Sequence, residues 1–139
     1  MDSEHIKRIE QSFAAQSMMQ TLGAKLSRIT DAQVDITAPI LNGSLQQQGY
    51  GHAGLTFSIG DSAAGYAALT TMPLDSEVVT AEIKINLLAP ARGDYLVARG
   101  RVLKPGRRLV VVASDVFAIT GDGERHIAAL QGTMVPVPL

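Results

Sequence analysis

The 139-residue chain contains no cysteine, which excludes disulfides, thiolate metal sites and a cysteine nucleophile. Its charges nearly cancel: 12 lysines and arginines stand against 13 aspartates and glutamates, a formal net charge of −1. That balance argues against a broad nucleic-acid-binding face or an anionic-membrane face. No segment approaches the roughly 18 apolar residues of a membrane span, and the N-terminal stretch lacks the apolar core of a signal peptide. The expectation is a soluble cytoplasmic protein with neither nucleic acid nor membrane as partner. With 46% hydrophobic and 18% charged residues the composition is globular, and 139 residues suit one domain, residues 1–139, with a sizeable core.

Hydrophobic spacing divides the chain into two halves of different character. Ile6, Ile9 and Phe13 recur at helical intervals, so the pattern predicts an amphipathic helix from Ser3 to about Gln20, with Ser3 as cap and Gly23 beyond its end. Alternation from Lys25 to Ile40 predicts a strand pair turning at Thr30-Asp31, and the polar stretch Leu41 to Gly51 reads as a loop. Ala53 to Thr71 is apolar nearly all round, as a helix buried on most sides would be. Thr80, Glu82, Lys84 and Asn86 then alternate with Ala81, Ile83, Ile85 and Leu87, a half-buried strand with Thr80 on its polar side. Further strands are expected at Tyr95–Leu103 and Leu109–Ile119, turning at Lys104-Pro105-Gly106-Arg107, and at His126–Val135 after Asp122-Gly123. An apolar helix among consecutive antiparallel strands predicts an α+β fold, an antiparallel sheet wrapped around a long central helix, with an extra N-terminal helix. One curved sheet covers only part of such a helix, so a second copy is expected to cover the rest.

Within the apolar helix stands one acid, Asp61. Either Gly60-Asp61-Ser62 starts a new helix with Asp61 as N-cap, or Asp61 is a partly desolvated carboxylate in mid-helix, with raised pKa and enhanced basicity toward water. His52 directly precedes the same helix and is either a hydrogen-bonding structural residue or part of a site. There the N–H groups of Ala53 and Gly54 lack intrahelical partners and would point outward at the positive end of the helix dipole, as a developing oxyanion requires. Nine residues at about 100° each place His52 and Asp61 on opposite faces, roughly 13 Å apart along the axis. One chain therefore cannot bring them to one substrate, but a two-fold dimer can. Between Arg92 and Arg108 six basic residues meet one acid, Asp94, either a solvated hairpin or a phosphate-binding patch. His5 and His126 have no clustered partners, so no metal site is indicated.

The runs Gly49-Tyr50-Gly51-His52-Ala53-Gly54, Asp61-Ser62-Ala63-Ala64-Gly65-Tyr66-Ala67-Ala68 and Glu82-Ile83-Lys84-Ile85-Asn86-Leu87-Leu88-Ala89-Pro90-Ala91 carry a resemblance, as does Gly100-Arg101-Val102 leading into Pro105-Gly106-Arg107. Together they resemble the hotdog-fold acyl-CoA thioesterases of the PaaI-like, phenylacetate-pathway branch, over roughly Gln46 to Ala118. The resemblance implies a helix wrapped by an antiparallel sheet, dimers joined sheet edge to sheet edge that pair again into homotetramers, and active sites between subunits. It implies Asp61 as the catalytic carboxylate, acting as general base or as nucleophile, and the Ala53 N–H as the group that polarises the thioester carbonyl. His52 matches the histidine of a His-Gly-Gly signature, written His-Ala-Gly here, and Gln46 stands where many relatives have Asn. Thr80 falls where a Ser or Thr often places the attacking water. Gly54 and the basic hairpin residues Lys104, Arg107 and Arg108 are the expected contacts to acyl-CoA, with no metal or redox cofactor. Two other readings remain at this point: a non-catalytic acyl-CoA-binding module, and a hotdog dehydratase or hydratase.

Overall fold

A computed structural model describes the chain over residues 1–139. Helix α1 (Ser3–Ala14) is capped by Asp2 and not by Ser3: the Asp2 carboxylate accepts the His5 N–H at 2.9 Å. The single helix expected to run to Gln20 is broken. Gln16 takes an extended conformation, φ −83° and ψ 101°, and α2 (Ser17–Leu22) restarts after it. The side chain of Gln16 is held by the Tyr66 hydroxyl at 2.7 Å, and the new direction buries Met19 and Leu22 while Met18 stays exposed. Gly23, at φ 70°, ends α2 in the left-handed conformation that glycine adopts without strain.

The expected hairpin follows as β1 (Lys25–Thr30) and β2 (Gln33–Pro39), then a loop containing a short 3-10 turn at Asn42–Ser44. The apolar stretch forms one uninterrupted helix, α3 (Ala53–Leu69). Four strands complete the chain: β3 (Ser76–Leu87), β4 (Tyr95–Lys104), β5 (Val110–Thr120) and β6 (Gly123–Pro138). The first begins four residues before the expected Thr80, and the last runs beyond His126–Val135 at both ends. All six strands are antiparallel in the order β1-β2-β4-β5-β6-β3, so β1 and β3 are the sheet edges.

Helix α3 lies in the concave face of this sheet. Leu55, Ile59, Ala63, Ala64 and Ala68 pack against Val34, Ile36, Leu96, Ala98, Val112, Val116 and Leu130 in one cluster of 26 buried residues. Contact is closest at Gly100 of β4, where an added Cβ would lie 2.2 Å from the Ala63 carbonyl oxygen. Small residues on both elements are thus a condition of the wrap. The helix is not covered all round, because Phe57 is exposed and Asp61 and Ser62 are only half-buried. This is the hotdog architecture.

One irregularity positions the site. The β3–β6 register jumps between Thr80 and Glu82, leaving Ala81 as an extra, bulged residue. A bulge reverses the in–out alternation of a strand. Val78 and Thr80 therefore share the helix-facing side with Ile83 and Ile85, and the expectation that Thr80 sits on the polar side is corrected.

Candidate active site

Asp61 lies within α3 and not at its start, so the N-cap alternative is removed by the unbroken helix on both sides of it. The Thr80 hydroxyl, turned inward by the bulge, donates to Asp61 Oδ1 at 2.8 Å and has Met134 Sδ at 3.2 Å. Burial pushes the Asp61 carboxyl above the ordinary aspartate value, and the Thr80 bond pulls it back only in part. The group opens onto a cleft of about 390 Å³ shared with Ser62, Thr80 and Val78. A half-buried carboxylate held by a single hydroxyl is a competent proton acceptor or nucleophile.

At the other end of α3, His52 is the N-cap, with extended φ −65° and ψ 145°. Its Nδ1 accepts the Gly54 N–H at 2.7 Å, which leaves the proton of the neutral ring on Nε2. The expectation that both first-turn amides point outward is therefore corrected: Gly54 is capped, and only the Ala53 N–H makes no hydrogen bond within the chain. The loop that presents it is pinned by two backbone bonds of 2.8 Å, His52 N–H to Ser44 and Gly51 N–H to Ala91. Gln46 shapes the same loop, its Oε1 accepting the Gln48 and Tyr50 N–H groups. Ala53, His52 and Gln46 line a second cleft of about 470 Å³, closed on one side by Leu87, Leu88 and Ala89.

The two clefts share no residue. The opposite-face geometry read from the spacing holds, and one chain does not bring His52 or Ala53 to Asp61. The basic stretch also divides. Arg99 pairs with Glu124 at 2.7 Å and lies 4.5 Å over the Phe117 ring, while Arg101 pairs with Asp115. Lys104, Arg107 and Arg108 remain exposed at the hairpin and line neither cleft. Arg107 instead borders a separate groove of about 710 Å³ with Pro73, Pro105 and Pro136. His126 pairs with Asp115 at 2.9 Å, His5 bonds Asp2, and no three metal-ligating side chains converge.

Sequence reasoning missed four polar residues of the Asp61 cleft: Ser12, Gln16, Tyr66 and Glu77. Only Tyr66, the one tyrosine of an apolar helix, five residues after Asp61, left a signal.

Known proteins share this fold. The sequence profile described as the thioesterase superfamily matches residues 48–124. A thioesterase family protein from Silicibacter pomeroyi superimposes with a TM-score of 0.94 at 36% identity, covering 97% of this chain and 99% of that one. The PaaI protein of the E. coli phenylacetic acid degradation operon shares the fold at a TM-score of 0.85 and 18% identity, over 96% of this chain and 94% of that one. A Saccharolobus solfataricus protein for which esterase activity is proposed is 40% identical over 84 residues, 60% of this chain and 53% of that protein's length. No helix is long and apolar enough to cross a membrane. The chain thus belongs to the thioesterase superfamily.

Proposed function

We propose that the protein is a cytoplasmic acyl-CoA thioesterase, acting as a single domain in a homodimer or homotetramer. It would release free acid and CoA from an aryl- or medium-chain acyl-CoA. The observation that carries this reading is one helix with an unpartnered N–H at Ala53 and a half-buried carboxylate at Asp61, in two clefts that one chain cannot join.

Edge strand β3 supplies a way to join them. Its first half carries Thr80 beside Asp61, and its end leads into Leu87–Ala89 of the Ala53 cleft. Antiparallel two-fold pairing of β3 with its own copy sets the first half of one strand against the end of the other. The Asp61 cleft of one subunit then adjoins the Ala53 cleft of its partner. Exposed Val79 and Leu87 on this edge would be covered by the same pairing.

In the composite site the partner subunit's Ala53 N–H polarises the thioester carbonyl as negative charge moves onto its oxygen. Such a donor contributes on the order of 3 kcal/mol. Asp61 takes a proton from water while the water oxygen bonds to the carbonyl carbon; as nucleophile, its own oxygen would form that bond, and water would then cleave the resulting anhydride, releasing the acid and restoring the carboxylate. The C–S bond then breaks and CoA leaves as a thiolate. Thr80 aims and steadies the carboxylate, His52 fixes the first turn of α3 through Gly54, and Gln46 holds the loop before it. Lys104, Arg107 and Arg108 would meet the CoA phosphates.

The test is release of free CoA, followed with a thiol reagent, across aryl and straight-chain acyl-CoAs, with Asp61→Asn beside the native protein. Turnover lower by two orders of magnitude or more in a folded Asp61→Asn is expected. Acyl-CoA binding without any turnover would replace this reading with a non-catalytic acyl-CoA-binding module.

A further inference from the structure

The α1–α2 segment lies outside residues 48–124, the stretch matched by the thioesterase profile, yet it supplies one wall of the Asp61 cleft. Five side chains, from α1, the link that follows it, α3 and β3, are joined across that wall. Arg8 Nη2 donates to Glu77 at 2.9 Å, and Ser12 Oγ lies 3.3 Å from the same carboxylate oxygen. Ser12 Oγ also lies 3.1 Å from the Tyr66 hydroxyl, which Gln16 Nε2 meets at 2.7 Å.

The direction of every proton in this chain is fixed from one end. Burial works against the charge on Glu77, but Arg8, the Val78 N–H and Ser12 together hold its carboxyl below the ordinary glutamate value. An ionised carboxylate only accepts. Ser12 Oγ, 3.3 and 3.4 Å from the two Glu77 oxygens, directs its single proton to that charge, so between Ser12 and Tyr66 it is Tyr66 that donates. With its proton spent, the Tyr66 oxygen accepts from Gln16, which fixes the amide group of Gln16 with its NH₂ toward Tyr66. The carbonyl oxygen, Gln16 Oε1, is left over: it has no partner in the chain, on a half-buried residue of the cleft wall.

A fixed acceptor without a donor loses hydrogen-bonding energy against any apolar group laid over it, and regains it against a hydroxyl. The cleft is also small, about 390 Å³, near the lower end of small-ligand pockets. We propose that Gln16 Oε1 receives a hydroxyl carried at the far end of the acyl group, so that the enzyme prefers ω-hydroxylated short or medium acyl chains to unsubstituted ones. This rests on the Asp61 cleft being the acyl site of a thioesterase. Gln16 is the specificity residue, and Tyr66, Ser12, Glu77 and Arg8 are the positioning residues that hold its oxygen outward.

The experiment compares kcat/KM for hexanoyl-, octanoyl- and decanoyl-CoA, each with its ω-hydroxy counterpart, using the native protein. A preference of about tenfold for the hydroxylated member is expected at the one chain length that reaches Gln16, and little at the others. In Gln16→Leu that ratio falls to one or below. Equal turnover of both members at every length in the native protein overturns the proposal without requiring any variant to fold, as does a preference retained in Gln16→Leu. Asp61-dependent hydrolysis without a hydroxyl preference removes this inference alone. Absence of hydrolysis on every thioester removes the thioesterase reading and the inference with it.

Discussion

Replacing Ala53 with proline deletes one hydrogen-bond donor and leaves the fold in place. Ala53 is the first residue of α3, and its N–H has no partner in the chain, so no helical bond is lost. His52 already has φ −65° and ψ 145°, the extended conformation that a residue preceding proline prefers. The bond from Gly54 N–H to His52 Nδ1 stays within reach. The stability cost of Ala53→Pro is therefore about 0.5 kcal/mol or less, as for other prolines at this position. Catalysis responds differently. Losing one donor to a developing oxyanion costs about 3–4 kcal/mol, or 10²–10³ in kcat. Steady-state kinetics on the best acyl-CoA, run beside thermal unfolding, separates the two effects. A large fall in kcat at nearly unchanged Tm is expected. A kcat within threefold of native would refute the oxyanion role, and a protein that fails to fold would refute the reading of Ala53 as a first-turn residue with an unused N–H.

Thr80→Val keeps the shape of the side chain and removes the hydroxyl that Asp61 Oδ1 accepts at 2.8 Å. A hydrogen bond to a charged group contributes about 1.5 kcal/mol or more. The acid limb of kcat/KM against pH therefore moves to higher pH and the rate on that limb falls about tenfold, whereas Thr80→Ser keeps the native profile. Asp61→Asn loses turnover but gains stability at neutral pH, with a sign that follows from burial. Because the folded carboxyl is raised, the folded state holds its proton more tightly, and stability is lost as pH rises through the folded pKa. The Tm advantage of Asp61→Asn at pH 7 is expected to shrink toward zero near pH 4, and an advantage that grew on acidification would contradict this. Gly100→Ala drives a Cβ to 2.2 Å from the Ala63 carbonyl oxygen, which is backbone and cannot rotate away. A loss of about 3 kcal/mol is expected, read as a lower urea midpoint at unchanged m-value.

The order of elements was legible because α3 and the strands differ in hydrophobic period, and the hairpin turns carry Gly, Pro and Asp. The separation of His52 from Asp61 was legible too, since helical geometry alone sets it. Three features were not. The break at Gln16 depends on the hydroxyl of Tyr66, fifty residues away in sequence, and no local pattern records it. The inward face of Thr80 depends on the bulge at Ala81, and a single extra residue leaves the apparent alternation from Thr80 to Leu87 intact while reversing its meaning upstream. The capping of Gly54 by His52 uses the first-turn amide that helix-end reasoning leaves free. Each is a tertiary or single-residue event imposed on a correct local pattern. The basic stretch shows the same limit: Arg99 and Arg101 find their acids on neighbouring strands, which spacing along one strand does not show.

Joining Asp61 of one subunit to Ala53 of another is tested most directly by mixing two inactive proteins. Asp61→Asn and Ala53→Pro subunits, unfolded together and refolded, give heterodimers in half of the pairs. Each heterodimer holds one composite site with both native groups, so about a quarter of the native rate should return. Recovery at that level, absent from either variant refolded alone, is the expected result. No recovery, with heterodimers demonstrated by differently tagged subunits, would mean that Asp61 and Ala53 do not meet across a dimer.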